Sequence, residues 1–233
     1  MPETLAAFHA RVDGFTRDSL PQEGILVTKP LLTEKIGPDG RMLPFFGNTM
    51  IYDLLQAAKL AIARRQLLLH HRCAGMLAEP IAPATLHLTL HDLLNGTDAA
   101  AQAAPVRRTG EQARALLAQL RAEHLPPVQL TSTAAFNMVN GSVALGFAPD
   151  TEADCAAIMN LHARFQEIVA LSYPLTPHVT LAYYRPGCHD STAVTALRGA
   201  LEAINALPAV QLTLELQSLF YCTFTDMNTY IPE

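Results

Sequence analysis

The chain has 233 residues, half of them apolar and 16% charged, with a mean hydropathy of +0.17. That composition excludes a disordered chain, which needs low hydrophobicity and high charge, and the length allows one large domain or two small lobes with a sizeable core. The net charge of −5 excludes a broad duplex-binding face, because neutralising many phosphates takes a basic excess, but a small anionic ligand met by a few local groups is compatible with it.

No apolar run reaches membrane-spanning length, since Lys59, Arg64, Arg65 and His70 interrupt the greasiest stretch. Met1 to Leu20 carries Glu3, Asp13 and Asp18 without a cationic start and apolar block, so no secretory leader is read there. Cys73, Cys155, Cys188 and Cys222 are scattered, with no Cys-x-x-Cys spacing. This argues against a zinc knuckle or disulfide scaffold and for a reducing, cytoplasmic compartment.

In chain order, residues 1–20 read as a polar lead with a short helix, and 24–35 has strand character. Gly37-Pro38-Asp39-Gly40 is a turn signal, and 45–55 reads as a strand. Residues 56–78, rich in Ala, Leu, Arg and Gln, predict a helix that Pro80 and Pro83 end. Thr85 to Leu93 alternates polar and apolar and predicts a half-buried strand, and the Ala-rich 95–105 is the best linker candidate. A helix over 109–124 precedes strands at 128–136 and 142–147, joined across Asn140-Gly141. Then come a helix over 152–171, with Asp150 and Thr151 as caps, a strand over 178–184, a helix over 192–207 and a strand region over 210–224. Mixed order with a hairpin points to an α+β fold rather than a doubly wound parallel sheet.

One echo links the two halves. His87-Leu88-Thr89-Leu90 reappears as His178-Val179-Thr180-Leu181, each in a segment that reads as a strand. Alternation points His87 and Thr89 to one face and Leu88 and Leu90 to the other, and the second copy behaves alike. If a pseudo-twofold relates the halves, two imidazoles and two hydroxyls meet across a cleft. One imidazole can take a proton from an attacking hydroxyl while the other delivers one to a leaving oxygen, each transfer worth roughly 10² to 10⁴ in rate. The threonines can donate hydrogen bonds to non-bridging oxygens as charge builds. That chemistry requires no metal or other cofactor, and it suits a phosphodiester, above all a strained cyclic one beside a ribose oxygen.

Paired His-x-Thr-hydrophobic motifs far apart in the chain resemble those of the two-histidine (2H) phosphoesterase superfamily, and 38–53, with Gly47-Asn48-Thr49, resembles an uncharacterised branch of it. The superfamily includes bacterial RNA 2′,5′-ligase-like proteins and cyclic nucleotide phosphodiesterases. The resemblance implies a bilobal α+β fold: two pseudo-symmetric lobes of antiparallel sheet plus helices around a central cleft. It implies metal-independent chemistry at 2′,3′-cyclic phosphates or 2′,5′ linkages, as in RNA processing. By that pattern His87 and His178 are the catalytic pair, and Thr89 and Thr180 hold the phosphate oxygens. Residues 1–35 fall outside the common pattern and are expected as an N-terminal extension to a single domain over 36–233.

By alternation His91 shares the face of His87, and Tyr184 that of His178. Tyr184 is a candidate for stacking a substrate base, or equally an aromatic closing the core, while Tyr183 is expected in the core. His91 either tunes His87 from the cleft edge or joins His87 and His178 in binding zinc. Arg64, Arg65, His70, His71 and Arg72 form either a solvated helix face or an attraction for a ribonucleotide tail. Asn48 and Thr49 line the cleft or serve the strand. The expected ligand is a small nucleotide or a short RNA end, with no membrane or duplex DNA partner. The alternative to an enzyme is a nucleotide- or RNA-end-binding module using the same cleft.

Overall fold

Local chemistry sets the helix starts. Side chains of Thr4, Asp98, Thr151 and Asp190 accept hydrogen bonds from the first free backbone N–H groups of α1 (Leu5–Thr16), α3 (Ala99–Ala122), α4 (Glu152–Gln166) and α5 (Ser191–Asn205). The remaining long helix is α2 (Gln56–Cys73). The strands are β1 (Leu26–Val27), β2 (Phe46–Asp53), β3 (His87–Gly96), β4 (Val128–Met138), β5 (Ser142–Pro149), β6 (His178–Tyr183), β7 (Cys188–His189), β8 (Gln211–Leu214), β9 (Leu219–Asp226) and β10 (Thr229–Pro232). The computed structural model describes residues 3–17, 19–22 and 24–233; Met1, Pro2, Asp18 and Glu23, within the expected extension, lie outside the described residues.

The strands build two four-stranded antiparallel sheets, β10-β9-β2-β3 and β6-β5-β4-β8, beside a small β1-β7 pair. The architecture is the bilobal α+β arrangement expected, and its internal symmetry is explicit. In one lobe β2 leads through α2 to its antiparallel neighbour β3; in the other β5 leads through α4 to β6. Both His-x-Thr strands are edge strands, and β3 and β6 approach each other across the middle. The helices lock the lobes together: α2 packs on α5 and reaches β6, and α4 touches β3 as well as β4 and β5. Leu88, Leu90, Val179 and Leu181 accordingly belong to one continuous core.

Three local expectations give way to the structure. The presumed linker at 95–105 is the start of α3, which runs straight through Pro105, because Asp98 caps a run of strong helix-forming alanines. Of 24–35 only Leu26–Val27 is strand, and Pro30 opens a 3-10 turn reaching Glu34. The β4–β5 hairpin turns on Val139 and Asn140, both at positive φ (49° and 53°), one residue earlier than the Asn-Gly signal. A β-branched residue there is strained. The Asn137 side chain accepts from Asn140 N and donates to Asn140 Oδ1, which holds the turn.

Gly47 and Asn48 prove structural. A Cβ on Gly47 would lie 2.1 Å from the Leu94 carbonyl oxygen, so only glycine fits against β3. Buried Asn48 ties β2 to its neighbours: Nδ2 donates to Val106 O, Thr109 Oγ1 and Tyr221 Oη, and Oδ1 accepts from Leu94 N. Asn48→Ala would orphan several buried polar groups at once. It should cost about 2–3 kcal/mol of stability, read as a lowered urea midpoint at unchanged m-value.

Candidate functional site

The two lobes enclose a cavity of about 620 Å³ whose wall includes His87, Thr89, His178 and Thr180. The geometry on the two sides matches. His87 Nδ1 lies 2.7 Å from the carbonyl oxygen of Thr85, and His178 Nδ1 lies 2.8 Å from that of Thr176. A carbonyl only accepts, so each Nδ1 carries a proton and each neutral ring is left with its lone pair on Nε2.

Each carbonyl sits in a segment braced by a cation. Lys59 Nζ donates to the Ala84 carbonyl and pairs with Asp53. Arg11 donates to Thr176 Oγ1 and the Leu175 carbonyl and pairs with Glu3. The Tyr230 ring packs on the His87 ring at 4.4 Å between centroids.

Burial pushes both His87 and His178 below the ordinary histidine value of 6.5. The Thr85 and Thr176 carbonyls and the Asp92 carboxylate pull the other way, while the charge of His178 depresses His87 further. The free site therefore favours neutral imidazoles at pH 7.

Beyond the motifs, simple alternation fails identically in both lobes. In β3, Ile51 faces Thr89 and Met50 faces His91, which leaves Leu90 as an extra, unpaired residue. In β6, Ala144 faces Thr180 and Val143 faces Ala182, which leaves Leu181 unpaired. Each is a β-bulge, and each reverses the facing of the residues after it. Asp92 and Tyr183 thereby line the cavity as counterparts of each other.

Tyr184, expected on the cleft face, is wholly buried and absent from the cavity wall, and Tyr183, expected in the core, takes its place. His91 is 1% exposed, its ring packed 4.9 Å from that of His162 at the inner wall rather than at the cleft edge. Among the described residues no three His, Cys, Asp or Glu side chains converge to hold a metal ion, so the set His87, His91 and His178 is not assembled as zinc ligands.

Other candidates resolve into structural parts. Arg65 and Arg72 donate to the carbonyls of Pro208 and Gly199 and clamp α2 to the α5 region. Thr49 lines the cavity while its hydroxyl donates to His91 O. Among the described residues no helix is long and apolar enough to cross a membrane.

Several wall residues carried no local signal. Asp92 accepts a hydrogen bond from Tyr173 Oη at 3.0 Å, and Arg11, Lys29 and Lys35 arrive from the N-terminal segment. Only a bulge or a tertiary contact brings them there.

No protein-family model and no curated protein matches the sequence. Among solved structures the chain is similar to a conserved protein of unknown function from Agrobacterium tumefaciens, at 19% identity over 96% of this chain and 97% of that one, with a TM-score of 0.66. The two share a fold. Also similar are Escherichia coli LigT in apo form (18% identity, 82% and 96% of the chains, TM-score 0.42) and Kluyveromyces marxianus Usb1 with uridine monophosphate (10%, 81% and 97%, 0.39).

The His91–His162 pair gives the site a measurable signature. Burial, with His91 adding, pushes His162 down to about 4 from an ordinary 6.5. The unfolded chain then binds more protons than the folded one below pH 6.5. Stability present above that pH is lost progressively as pH falls toward 4, by about 3 kcal/mol for this group alone. Thermal melts from pH 7.5 to 4.5 should show that loss on top of the smaller same-sign losses from the other buried histidines, and His162→Leu should make it shallower; an equally steep loss in the variant would place the proton uptake elsewhere.

Proposed function

We propose that the protein is a metal-independent phosphodiesterase of the two-histidine kind. It acts on a 2′,3′-cyclic phosphate or a related nucleotide or RNA-end phosphodiester. The observation that carries this reading is the matched pair of imidazoles, each fixed by its own Nδ1–H···O=C bond beside a threonine in one cavity. Locking Nδ1 in both rings leaves both Nε2 atoms for proton transfer, and two such groups are what in-line displacement at phosphorus requires. Fold likeness alone does not carry chemistry; the site does.

In the hydrolytic direction one neutral histidine takes the proton of the attacking water as its oxygen bonds to phosphorus. The bond from phosphorus to one ribose oxygen breaks, and the other histidine, protonated, gives that oxygen its proton. A phosphomonoester and a free hydroxyl result, and the two rings have exchanged protonation states. Thr89 and Thr180 donate to the non-bridging oxygens, where charge accumulates. The phosphodiester anion itself favours protonation of one ring, offsetting the burial that keeps both neutral in the free site. Tyr183 and Tyr230 offer aromatic surface in the same cavity for a base.

His87→Ala and His178→Ala should each lower kcat on a nucleoside 2′,3′-cyclic phosphate at least about 100-fold, with the far-UV spectrum intact. Wild-type turnover should survive EDTA. Near-normal rates in either folded variant would end the two-histidine mechanism. Binding without turnover in the wild type would favour the binding-module alternative.

The pH profile adds a second check. The productive form has one ring protonated and one neutral, and both rings titrate below the ordinary 6.5. The optimum of kcat/KM should therefore lie below pH 6.5, with a fall on the alkaline side as the acid is lost. A plateau continuing to pH 8 would contradict that assignment.

A further inference from the structure

The chain carries a net charge of −5, yet its cavity gathers the opposite sign. Among the described wall residues, Arg11, Lys29 and Lys35 stand against one carboxylate, Asp92. Arg11 is committed to Glu3 and to the Leu175–Thr176 segment. The two lysines are not: among the described residues neither has a carboxylate within 4.0 Å of its ammonium, and neither ammonium has a hydrogen-bond acceptor.

The two lysines differ in setting, Lys29 being exposed and Lys35 partly enclosed. Lys29 N donates to the Asn140 carbonyl, and its side chain lies across Gly141, where an added Cβ would come within 2.9 Å of Nζ. Lys35 is half-buried, with Nζ 4.7 Å from the centre of the Phe45 ring. The two ammonium groups are close enough for Lys29 to disfavour the charge on Lys35, and burial disfavours it more strongly; Asp92 and Glu34 only partly compensate. The charge on Lys35 is therefore held at a cost set mainly by burial and added to by Lys29, with Asp92 the one carboxylate on the wall to set against it. A bound anion offsets that cost.

Their position along the cleft is also defined. Lys29 lies across Gly141, the residue before β5, whose first residue Ser142 pairs with Tyr183. Lys35 lies over Phe45, just before β2, whose first residue pairs with Gly96 at the far end of β3 from His87. Lys35 senses the charge of Asp92, three residues beyond Thr89 with Leu90 bulged out, which is roughly 7–10 Å of strand. Both lysines thus reach the cavity wall from outside the two His-x-Thr segments, in the same cavity as the two imidazoles.

We propose that Lys29 and Lys35 form an anion subsite, so that the substrate carries a second phosphoryl group besides the one between the histidines. A nucleotide bearing a cyclic phosphate at one side of the ribose and a terminal phosphate at the other has this form. The inference rests on the phosphodiesterase reading only for which phosphoryl group is cut; the subsite itself is a matter of binding.

The experiment has two arms on the full chain. Calorimetry compares adenosine 3′,5′-bisphosphate with the 3′- and 5′-monophosphates on wild type and on Lys29→Met/Lys35→Met, which keeps the apolar stems. Kinetics compare adenosine 2′,3′-cyclic phosphate with and without a 5′-phosphate. Wild type should bind the bisphosphate at least about tenfold tighter than either monophosphate, with a steeper salt dependence, and the variant should bring the ratio close to one. The kcat/KM preference for the 5′-phosphorylated substrate should collapse in parallel. The wild-type salt dependence needs no variant, so a misfolded variant does not remove the test. Equal binding of mono- and bisphosphates by wild type would overturn the subsite; turnover of the cyclic phosphates would then still uphold the phosphodiesterase. A bisphosphate preference lost in the variant, with no turnover of any cyclic phosphate, would keep the subsite and remove the activity.

Discussion

The carbonyl groups of Thr85 and Thr176 decide what the cavity can do. Each accepts the Nδ1 proton of the histidine two residues on, and each thereby fixes a tautomer and a ring orientation. A free imidazole exchanges tautomers and rotates; a tethered one offers Nε2 at a constant place. The tether is only as good as the segment that carries it. Lys59 and Arg11 supply that support from different elements, each as a cation on a backbone carbonyl with a carboxylate of its own behind it. The arrangement is a hierarchy: ion pair, carbonyl, imidazole, cleft. Holding reactive groups through such outer contacts is how a fold turns two ordinary strands into a preorganised site.

The bulges at Leu90 and Leu181 form the second half of the device. A regular strand would place His91 and Tyr184 beside the histidines. The extra residue buries Tyr184 in the core and His91 in the inner wall, and brings Asp92 and Tyr183 round to the side of the histidines. Because the bulge recurs at the same place after each His-x-Thr, the symmetry of the two lobes extends past the motif into residues with no sequence likeness. The outcome is an asymmetric pair on a symmetric frame: a carboxylate on one side and a phenol on the other. The ends of the cleft can thus be told apart by a ligand although the imidazoles cannot.

This explains where the sequence was readable. Residues within the motifs obey alternation, so His87, Thr89, His178 and Thr180 could be placed on one face from spacing alone, and the order of long helices and strands pointed to α+β. The residues just beyond could not. A bulged Leu90 looks like any strand leucine, and the two backbone groups it leaves unpaired have no signature in side-chain pattern. Asn95 to Pro105 misled for a related reason: small residues with a proline suggest a linker, but the Asp98 cap and alanine propensity outweigh the one hydrogen bond that Pro105 removes. Asn48 looked like a turn residue because its partners, Thr109 and Tyr221, are tertiary neighbours from α3 and β9.

The N-terminal segment was the least legible part and changes the logic most. Nothing in the local pattern of Arg11, Lys29 or Lys35 ties them to the cavity; the packing of α1 on α4 and β4 and the pairing of β1 with β7 bring Arg11 and Lys29 to strands more than a hundred residues away, and Lys35 reaches the wall over Phe45. In the proposed phosphodiesterase the duplicated strands carry bond making and breaking, which depends little on what surrounds the phosphorus. The segment over 5–35 has no counterpart in the second lobe, so whatever it contributes must be directional. It braces the Leu175–Thr176 segment before His178 through Arg11, and among the described residues it brings Lys29 and Lys35 to the cavity wall without a carboxylate partner. In the proposed function, symmetry carries the chemistry and the departure from symmetry carries the selectivity. The net charge of −5 fits that proposal: a chain that is acidic overall but gathers Arg11, Lys29 and Lys35 on the wall of one cavity suits a small ligand with concentrated charge better than a long polyanion.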